Sequence, residues 1–310
     1  MLIYLAHGPA SAFFEAESVR AWILAGQTVS LIGKLMATVA LYYLGRSLVG
    51  PRAAFWGVLI LSILPDSAEY GSDVLSDWPH LAFLAAGLLL LSHGAMSGRA
   101  VLFGCAGVVA GLGYLIRPEC CQLVLYGTAW LVWGLARRRG QPATTKTLCA
   151  LVLLLAGFAV TAAPYMLFKG HVFPEQEIGS LPDLSGAGNG LASQARASDI
   201  DIAGRQLAGL ASIALPLAKL CETLMYYFVP ALVIGLGRFL WKRERSAYQA
   251  FLVPAFIAVN LVMLAWQSSA RGFLSHRHSL PLVAFTALWI PCLLYTSDAA
   301  DELDGVDLGG

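Results

Sequence analysis

Three short groups of charged residues stand out in a chain that is otherwise rich in apolar side chains. They lie at residues 73–80, 117–119 and 276–281, and each adjoins an apolar run. A carboxylate in such a place could take a proton from a hydroxyl or an amine, or bind a metal ion. Arginine presents a planar fork of donors that suits phosphate or carboxylate. The residue types therefore indicate acid–base chemistry and anion binding.

Asp73 and Asp77 are the candidate catalytic carboxylates. They are four residues apart, so on a helix they would share a face. Asp77 equally fits a helix N-cap, because the following Trp78-Pro79 places a proline in the first turn. The spacing leaves both interpretations open.

Arg117 and Glu119 flank Pro118, where we expect a helix to break, because proline lacks an N–H and disfavours helical geometry in the preceding residue. Arg117 could bind an anionic head group. Alternatively, Arg117 and Glu119 form a local ion pair that closes a hairpin, and the spacing does not separate these two alternatives.

A third group is cationic. Arg271, Arg277 and His278 precede or open an apolar run, where free helix N–H groups and positive charge favour phosphate oxygens. The alternative is that they anchor the chain to lipid head groups. Lys34 lies within an apolar run and is a weaker candidate, which could pair with an acid or extend towards the membrane surface.

The composition predicts a polytopic membrane protein. Of the 310 residues, 58% are hydrophobic and 13% are charged, and the mean hydropathy is +0.69. Soluble domains contain about 25% charged residues. The net charge of +1 gives no indication of a nucleic-acid partner. The six cysteines lie in or beside apolar runs without zinc-binding spacing, so no metal site is predicted from them.

The apolar runs predict an all-α bundle with about nine hydrophobic segments. Some are shorter than the ~20 residues that a perpendicular span needs, so we expect them to be tilted, re-entrant or packed inside the bundle. The segments lie near 19–46, 54–65, 79–96, 101–116, 120–136, 147–168, 220–240, 248–268 and 279–294.

Charge predicts the orientation. The loops near 46–52, 97–99, 137–146 and 238–245 hold 11 of the 20 basic residues, which makes that side cytoplasmic. All three charged groups then lie on the outer side. The longest loop, 169–219, is also outside and is expected to contain a helix lying in the membrane interface. Residues 294–310 break the composition abruptly and are expected to be a non-native tail.

Several motifs in order resemble the C-type (GT-C) glycosyltransferases, in the group of the protein mannosyltransferases and the lipid A aminoarabinose transferases. The resemblance covers about residues 1–293. It is carried by residues 29–33 (VSLIG), 42–54 (YYLGRSLVGPRAA), 64–65 (LP), 76–77 (SD), 114–119 (YLIRPE), 163–165 (APY) and 277–282 (RHSLPL).

The resemblance implies a GT-C-like helix bundle and an inverting transferase with its active site on the outer, periplasmic or extracellular face of the plasma membrane. The donor would be a polyprenyl-phosphate sugar, and the acceptor a lipid, a glycan or a protein. Membrane lipids are the other expected partners. A divalent metal is compatible with this chemistry.

Within that resemblance Asp77 matches the family's second acidic position. Arg117, Glu119, Arg277 and His278 match positions that line the cavity or the lipid-phosphate region. The family's first catalytic acid lies in the first outer loop, and Glu15 and Glu17 come too late to replace it. We therefore expect the first span and first outer loop to lie upstream of Met1.

Two other functions fit the same charges. One is a transporter or flippase for a lipid-linked sugar, although no internal repeat of the kind common in transporters is visible. The other is a non-catalytic membrane fragment.

Overall fold

The computed structural model of the chain describes residues 3–4, 6–7, 19–73, 76–137, 143–169, 208–241, 246–271 and 274–293. Within these residues all regular secondary structure is helical, which confirms the all-α prediction. The predicted tail at 294–310 lies outside them. So does residue range 170–207, which includes the first part of the predicted interfacial helix.

The helices follow the apolar runs of the sequence. They are α1 (Val19–Val49), α2 (Pro51–Ile63), α3 (Pro65–Ser72), α4 (Asp77–Ser97), α5 (Ala100–Tyr114), α6 (Gln122–Arg137), α7 (Ala143–Lys169), α8 (Ala208–Thr223), α9 (Val229–Trp241), α10 (Ala247–Arg271) and α11 (His276–Thr286), with 3₁₀ helices at Pro118–Cys121 and Ala287–Leu293.

Four of these helices, α1, α4, α7 and α10, contain stretches long and apolar enough to cross a membrane. Helices α2, α5 and α9 are apolar but shorter. At 1.5 Å per residue, the 13 residues of α2 reach about 20 Å, less than the ~30 Å hydrocarbon core. The structure thus contains long and short apolar helices, as the sequence predicts. The segment predicted at 220–240 is interrupted, because α8 ends at Thr223 and α9 begins at Val229.

Small residues allow the close approach of helices α5 and α7. A methyl group on Gly107 would overlap the carbonyl of Leu154, and one on Gly111 would overlap the Thr161 hydroxyl. Packing through glycine is a common way for membrane helices to associate, because it brings the two backbones together.

The first turn of α4 is fixed by helix α1. A methyl group on Gly33 would lie 2.6 Å from the backbone nitrogen of Pro79, so the two helices touch at this point. The neighbouring Trp78 is fully buried in the core. Residues 279–291, from α11 into the final 3₁₀ helix, are also buried. Asp77 and Arg277 therefore both begin segments that are held rigidly in the bundle.

Candidate functional site

The three charged groups of the sequence meet at the carboxylate of Asp77, whose side chain is 1% exposed. Arg117 Nη2 lies 2.6 Å from Oδ1. Arg277 Nε donates to Oδ2 at 3.1 Å, and Arg277 Nη2 lies 3.1 Å from the same oxygen. We call these three residues the Asp77 trio.

The start of α4 positions Asp77 in its first turn. Ser76, not Asp77, occupies the N-cap position, and it makes no side-chain capping bond. The N-cap interpretation of Asp77 is therefore wrong. Its carboxylate still benefits from the positive end of the helix. The Ser76 hydroxyl instead accepts a hydrogen bond of 3.0 Å from Arg117 Nε.

The sequence around Arg117 determines how this side chain reaches the trio. Helix α5 ends at Tyr114, and Arg117 is extended, with φ −147° and ψ 132°, as expected before a proline. The predicted helix break is therefore present. The guanidinium is directed to Asp77 and Ser76 and is 17% exposed. Glu119 Oε2 is buried without a hydrogen-bond partner among the described residues.

Arg277 enters the trio from the first turn of α11, after the extended Ser275. Its side chain is 37% exposed, more than that of Arg117. Two guanidinium groups thus share one carboxylate, so the trio carries one positive charge in excess. The more exposed of the two cations is Arg277, which is the one that an anion could approach.

Asp73 does not join the trio. It is exposed and lies at the C-cap of α3, whereas Asp77 begins the next helix. The two aspartates therefore do not share a helix face. The expectation that they would do so is wrong, because they belong to two different helices. The side chain of Arg271 lies outside the described residues.

Lys34 contacts helix α3 and the first turn of α4. Its Nζ donates to the carbonyl of Ser67 at 3.3 Å and lies 5.1 Å from the centre of the Trp78 ring. These contacts hold the ammonium group within the bundle.

A cavity of about 20 Å³ adjoins the trio, with room for one water molecule. Glu119 and His278, which the sequence singles out, both line it. Arg117 also forms part of its wall. The remaining lining residues are His80, Gln122, Asn260, Met263, Leu264, Gln267 and Pro281.

Sequence reasoning missed the amides of this cavity. Asn260 and Gln267 lie within the apolar run of α10, and polar residues at membrane depth are costly and often functional. That was the available signal. In the structure, Gln122 Oε1 accepts from Tyr126 at 2.7 Å and from Asn260 Nδ2 at 3.1 Å. Asn260 Nδ2 also donates to the carbonyl of Phe256 at 2.9 Å.

A second charged group surrounds His276, the residue next to Arg277. Its Nε2 lies 3.3 Å from Glu222 Oε2, and its Nδ1 lies 3.5 Å from Asp66 Oδ2. Lys219 Nζ donates to Glu222 at 2.9 Å and lies 3.3 Å from His276 Nε2. We call Asp66, Lys219, Glu222 and His276 the His276 cluster; it joins α3, α8 and α11.

The pKa values of Glu222 and Tyr70 are shifted in this region. The hydrogen bond from Lys219 lowers the pKa of Glu222, with its charge and that of His276 acting in the same direction. Burial raises the pKa of Tyr70 to about 12, and the nearby carboxylates of Asp66, Glu69 and Asp77 add to this effect. The Tyr70 hydroxyl therefore stays protonated at neutral pH.

Among the residues that the structure describes, no group of three or more His, Cys, Asp and Glu side chains is arranged to hold a metal ion.

Comparison with known proteins gives a family match and a fold match. Residues 13–163 match the family model described as dolichyl-phosphate-mannose-protein mannosyltransferase. This range includes Asp77, Arg117 and Glu119 but ends before Arg277. No curated protein sequence matches the chain.

The fold resembles that of the oligosaccharyltransferase of Archaeoglobus fulgidus in its apo form. The TM-score is 0.52 at 15% identity, over 98% of this chain and 44% of the other. A second structure of that enzyme, with Zn and sulfate, gives a TM-score of 0.46 at 15% identity, over 99% and 43% of the two chains. The chain thus spans less than half the length of the solved enzyme. At 15% identity, the similarity to the apo structure is a similarity of fold alone.

Proposed function

We propose that this chain is a membrane glycosyltransferase of the GT-C group, which moves a sugar from a polyprenyl-phosphate donor to an acceptor on the outer face of the membrane. The observation that carries the proposal is the Asp77 trio. It combines a buried carboxylate with two guanidinium groups, one of which is 37% exposed.

Arg277 is the proposed ligand of the donor phosphate. When the bond between the sugar and the phosphate breaks, its electron pair leaves with the phosphate, and negative charge develops there. A guanidinium already oriented at that point stabilises the charge without having to reorganise. The excess positive charge of the trio makes an anion a favourable addition to it.

Asp77 is the proposed general base. Both of its oxygens contact arginines in the absence of a donor. If Arg277 moves from Oδ2 to the donor phosphate, Oδ2 becomes free to accept a proton from the acceptor. The acceptor oxygen or nitrogen then attacks the anomeric carbon as the phosphate leaves. Asp73 is less suited to this role because it is exposed and lies on the preceding helix.

Arg117 is the proposed positioning residue. Its contacts with Asp77 and Ser76 hold the carboxylate at the start of α4 while Arg277 moves. Arg117, Glu119 and His278 line the adjacent cavity and so face the same space. We propose that this end of the bundle lies on the outer side, because Arg46 and Arg52 lie at the other end, where Gln249 Nε2 donates to the carbonyl of Ser47 at 2.7 Å.

The test is transfer in reconstituted vesicles. The protein is supplied with polyprenyl-phosphate-linked sugars labelled in the sugar, together with membrane lipid, glycan and protein fractions as acceptors. We expect release of polyprenyl phosphate and labelled product, and loss of both in Asp77→Asn. Labelled lipid-linked sugar that crosses the bilayer without release of polyprenyl phosphate would instead support a transporter.

A further inference from the structure

The cavity beside the Asp77 trio is built from four separate parts of the chain. His80 comes from α4, Glu119 from the 3₁₀ helix after α5, Gln267 from α10 and His278 from α11. His80 and Gln267 are 2% and 9% exposed. Residues so far apart in sequence converge here, so the polar lining is a property of the folded bundle and not of one helix end.

Several polar atoms that line the cavity have no hydrogen-bond partner among the residues that the structure describes. They are His80 Nε2, Glu119 Oε2 and Gln267 Oε1, and each is buried. Leaving a buried polar group unsatisfied costs roughly 1–3 kcal/mol, more for a charged one. Two of the three atoms are acceptors, so the missing partner must bring hydrogen-bond donors.

The remaining amides hold the wall of the cavity in place. Gln122 Oε1 already accepts two hydrogen bonds, and Asn260 Nδ2 donates to Gln122 Oε1 and to the Phe256 carbonyl. These groups are occupied by one another, so they form a fixed wall. The lining atoms that could contact a ligand include His80 Nε2, Glu119 Oε2 and Gln267 Oε1.

We propose that this cavity is a subsite for one hydrogen-bond-donating substituent, a hydroxyl or an amino group, of the transferred sugar. This inference rests on the proposed function. The volume admits a single such group and not a whole ring, so the subsite would read one position of the sugar. A water molecule fits the same space in the absence of donor, and a hydroxyl that displaces it can reproduce its hydrogen bonds.

The test measures binding, separately from transfer. Dissociation constants are determined for the full chain in detergent with polyprenyl phosphate and with polyprenyl phosphates that carry a panel of hexoses and pentoses. For the tightest sugar, the monodeoxy and monoamino analogues follow. We expect at least one sugar to bind more tightly than polyprenyl phosphate, and loss of one hydroxyl to weaken binding by about 10- to 100-fold.

Gln267→Leu removes the acceptor oxygen at nearly constant size and should make binding insensitive to that hydroxyl. Gln267→Glu keeps an acceptor and should retain the sensitivity, with a shift in favour of the amino analogue. Gln249→Leu is the matched control, since Gln249 lies at the opposite end of the same helix. It should leave the discrimination unchanged.

Two results would overturn the subsite: no sugar improves binding over polyprenyl phosphate, or Gln267→Leu keeps the discrimination of the unmodified chain. The second result would leave water as the occupant of the cavity. If discrimination is present and depends on Gln267 but no sugar is transferred, the proposed transferase activity fails while the subsite stands.

Discussion

Two adjacent residues at the start of α11, His276 and Arg277, belong to two charged groups whose environments differ. Arg277 belongs to the Asp77 trio, whose carboxylate side chain is 1% exposed. His276 belongs to the His276 cluster, in which Asp66, Glu222 and His276 are 31%, 38% and 34% exposed. Neighbouring side chains at the start of α11 thus reach a buried carboxylate in one case and partly exposed carboxylates in the other.

The difference in burial predicts a difference in how much each group contributes to stability. Removing one partner of a buried ion pair leaves an uncompensated charge and is strongly destabilising. Exposed pairs contribute about 0–1 kcal/mol, because water and salt screen them. We therefore expect the trio to determine both activity and folding of this end of the bundle, and the His276 cluster to modulate it weakly.

Asp77→Asn should produce the largest effect. It leaves two guanidinium groups without their shared carboxylate, so we expect a loss of about 3 kcal/mol in stability. Transfer should fall at least ~100-fold, because the proposed general base is lost. Thermal unfolding in detergent and the vesicle assay measure the two effects.

Asp66→Asn is the matched control for that variant, since it removes a half-exposed carboxylate from the His276 cluster. It should cost less than about 1 kcal/mol. If the two variants were equally stable, burial would not be what distinguishes the two groups.

Gly33→Ala should produce the next effect, because α1 supports the turn that carries the trio. The added methyl group would lie 2.6 Å from the backbone nitrogen of Pro79, and forcing apart such packing costs about 1–3 kcal/mol. Transfer should fall as Asp77 shifts. Gly134→Ala is the control, because no atom lies within 4 Å of the added methyl group, and it should be neutral or slightly stabilising.

A parallel loss of stability and activity in both glycine variants would argue against a specific role of Gly33. An unchanged Gly33→Ala protein would show that the first turn of α4 can move without disturbing the trio.

Substitution of the two arginines of the trio should affect binding and stability to different extents. Arg277→Ala removes the more exposed cation and should weaken binding of polyprenyl phosphate by about 10-fold, which is about 1.4 kcal/mol. Arg117→Ala removes contacts with both Asp77 and Ser76, so it should lower the unfolding temperature more and the affinity less. Paired measurements of binding and unfolding test this, and equal effects of both variants on affinity would contradict it.

Local chemistry in the sequence predicted much of this arrangement. The break at Arg117-Pro118 follows from proline geometry, and counting the spans between the three charged groups predicts that they lie on the same side of the membrane. Their meeting at the carboxylate of Asp77 was not predicted. The relation of Asp73 to Asp77 could not be predicted in this way. It depends on where α3 ends and α4 begins, because two residues on different helices need not face the same side.

The cavity could not be predicted from the sequence, for a different reason. Gln122 and Asn260 are 138 residues apart, and only tertiary packing brings them within 3.1 Å. Each is an unremarkable amide in its own segment. A polar residue in an apolar run has an energetic cost at membrane depth, which the sequence alone reveals. Its hydrogen-bond partner becomes known only when the tertiary structure shows which helices pack together.

Glu222→Gln should produce the smallest effect, and its pH dependence tests the comparison most directly. The pKa of Glu222 is lowered from its ordinary value of 4.5 in the folded chain, so the ionised group stabilises folding above pH 4.5. That contribution is lost as the pH falls through the lowered pKa. Because the side chain is 38% exposed, we expect less than about 0.5 kcal/mol between the two proteins near neutral pH.

Unfolding of the unmodified chain and of Glu222→Gln at a series of pH values, at low and high salt, provides the measurement. The difference should shrink below pH 4.5 and also at high salt, as expected for a solvated pair. If it instead grew on acidification or resisted salt, the His276 cluster would be behaving as a buried group. The contrast with the Asp77 trio would then have to come from something other than exposure to water.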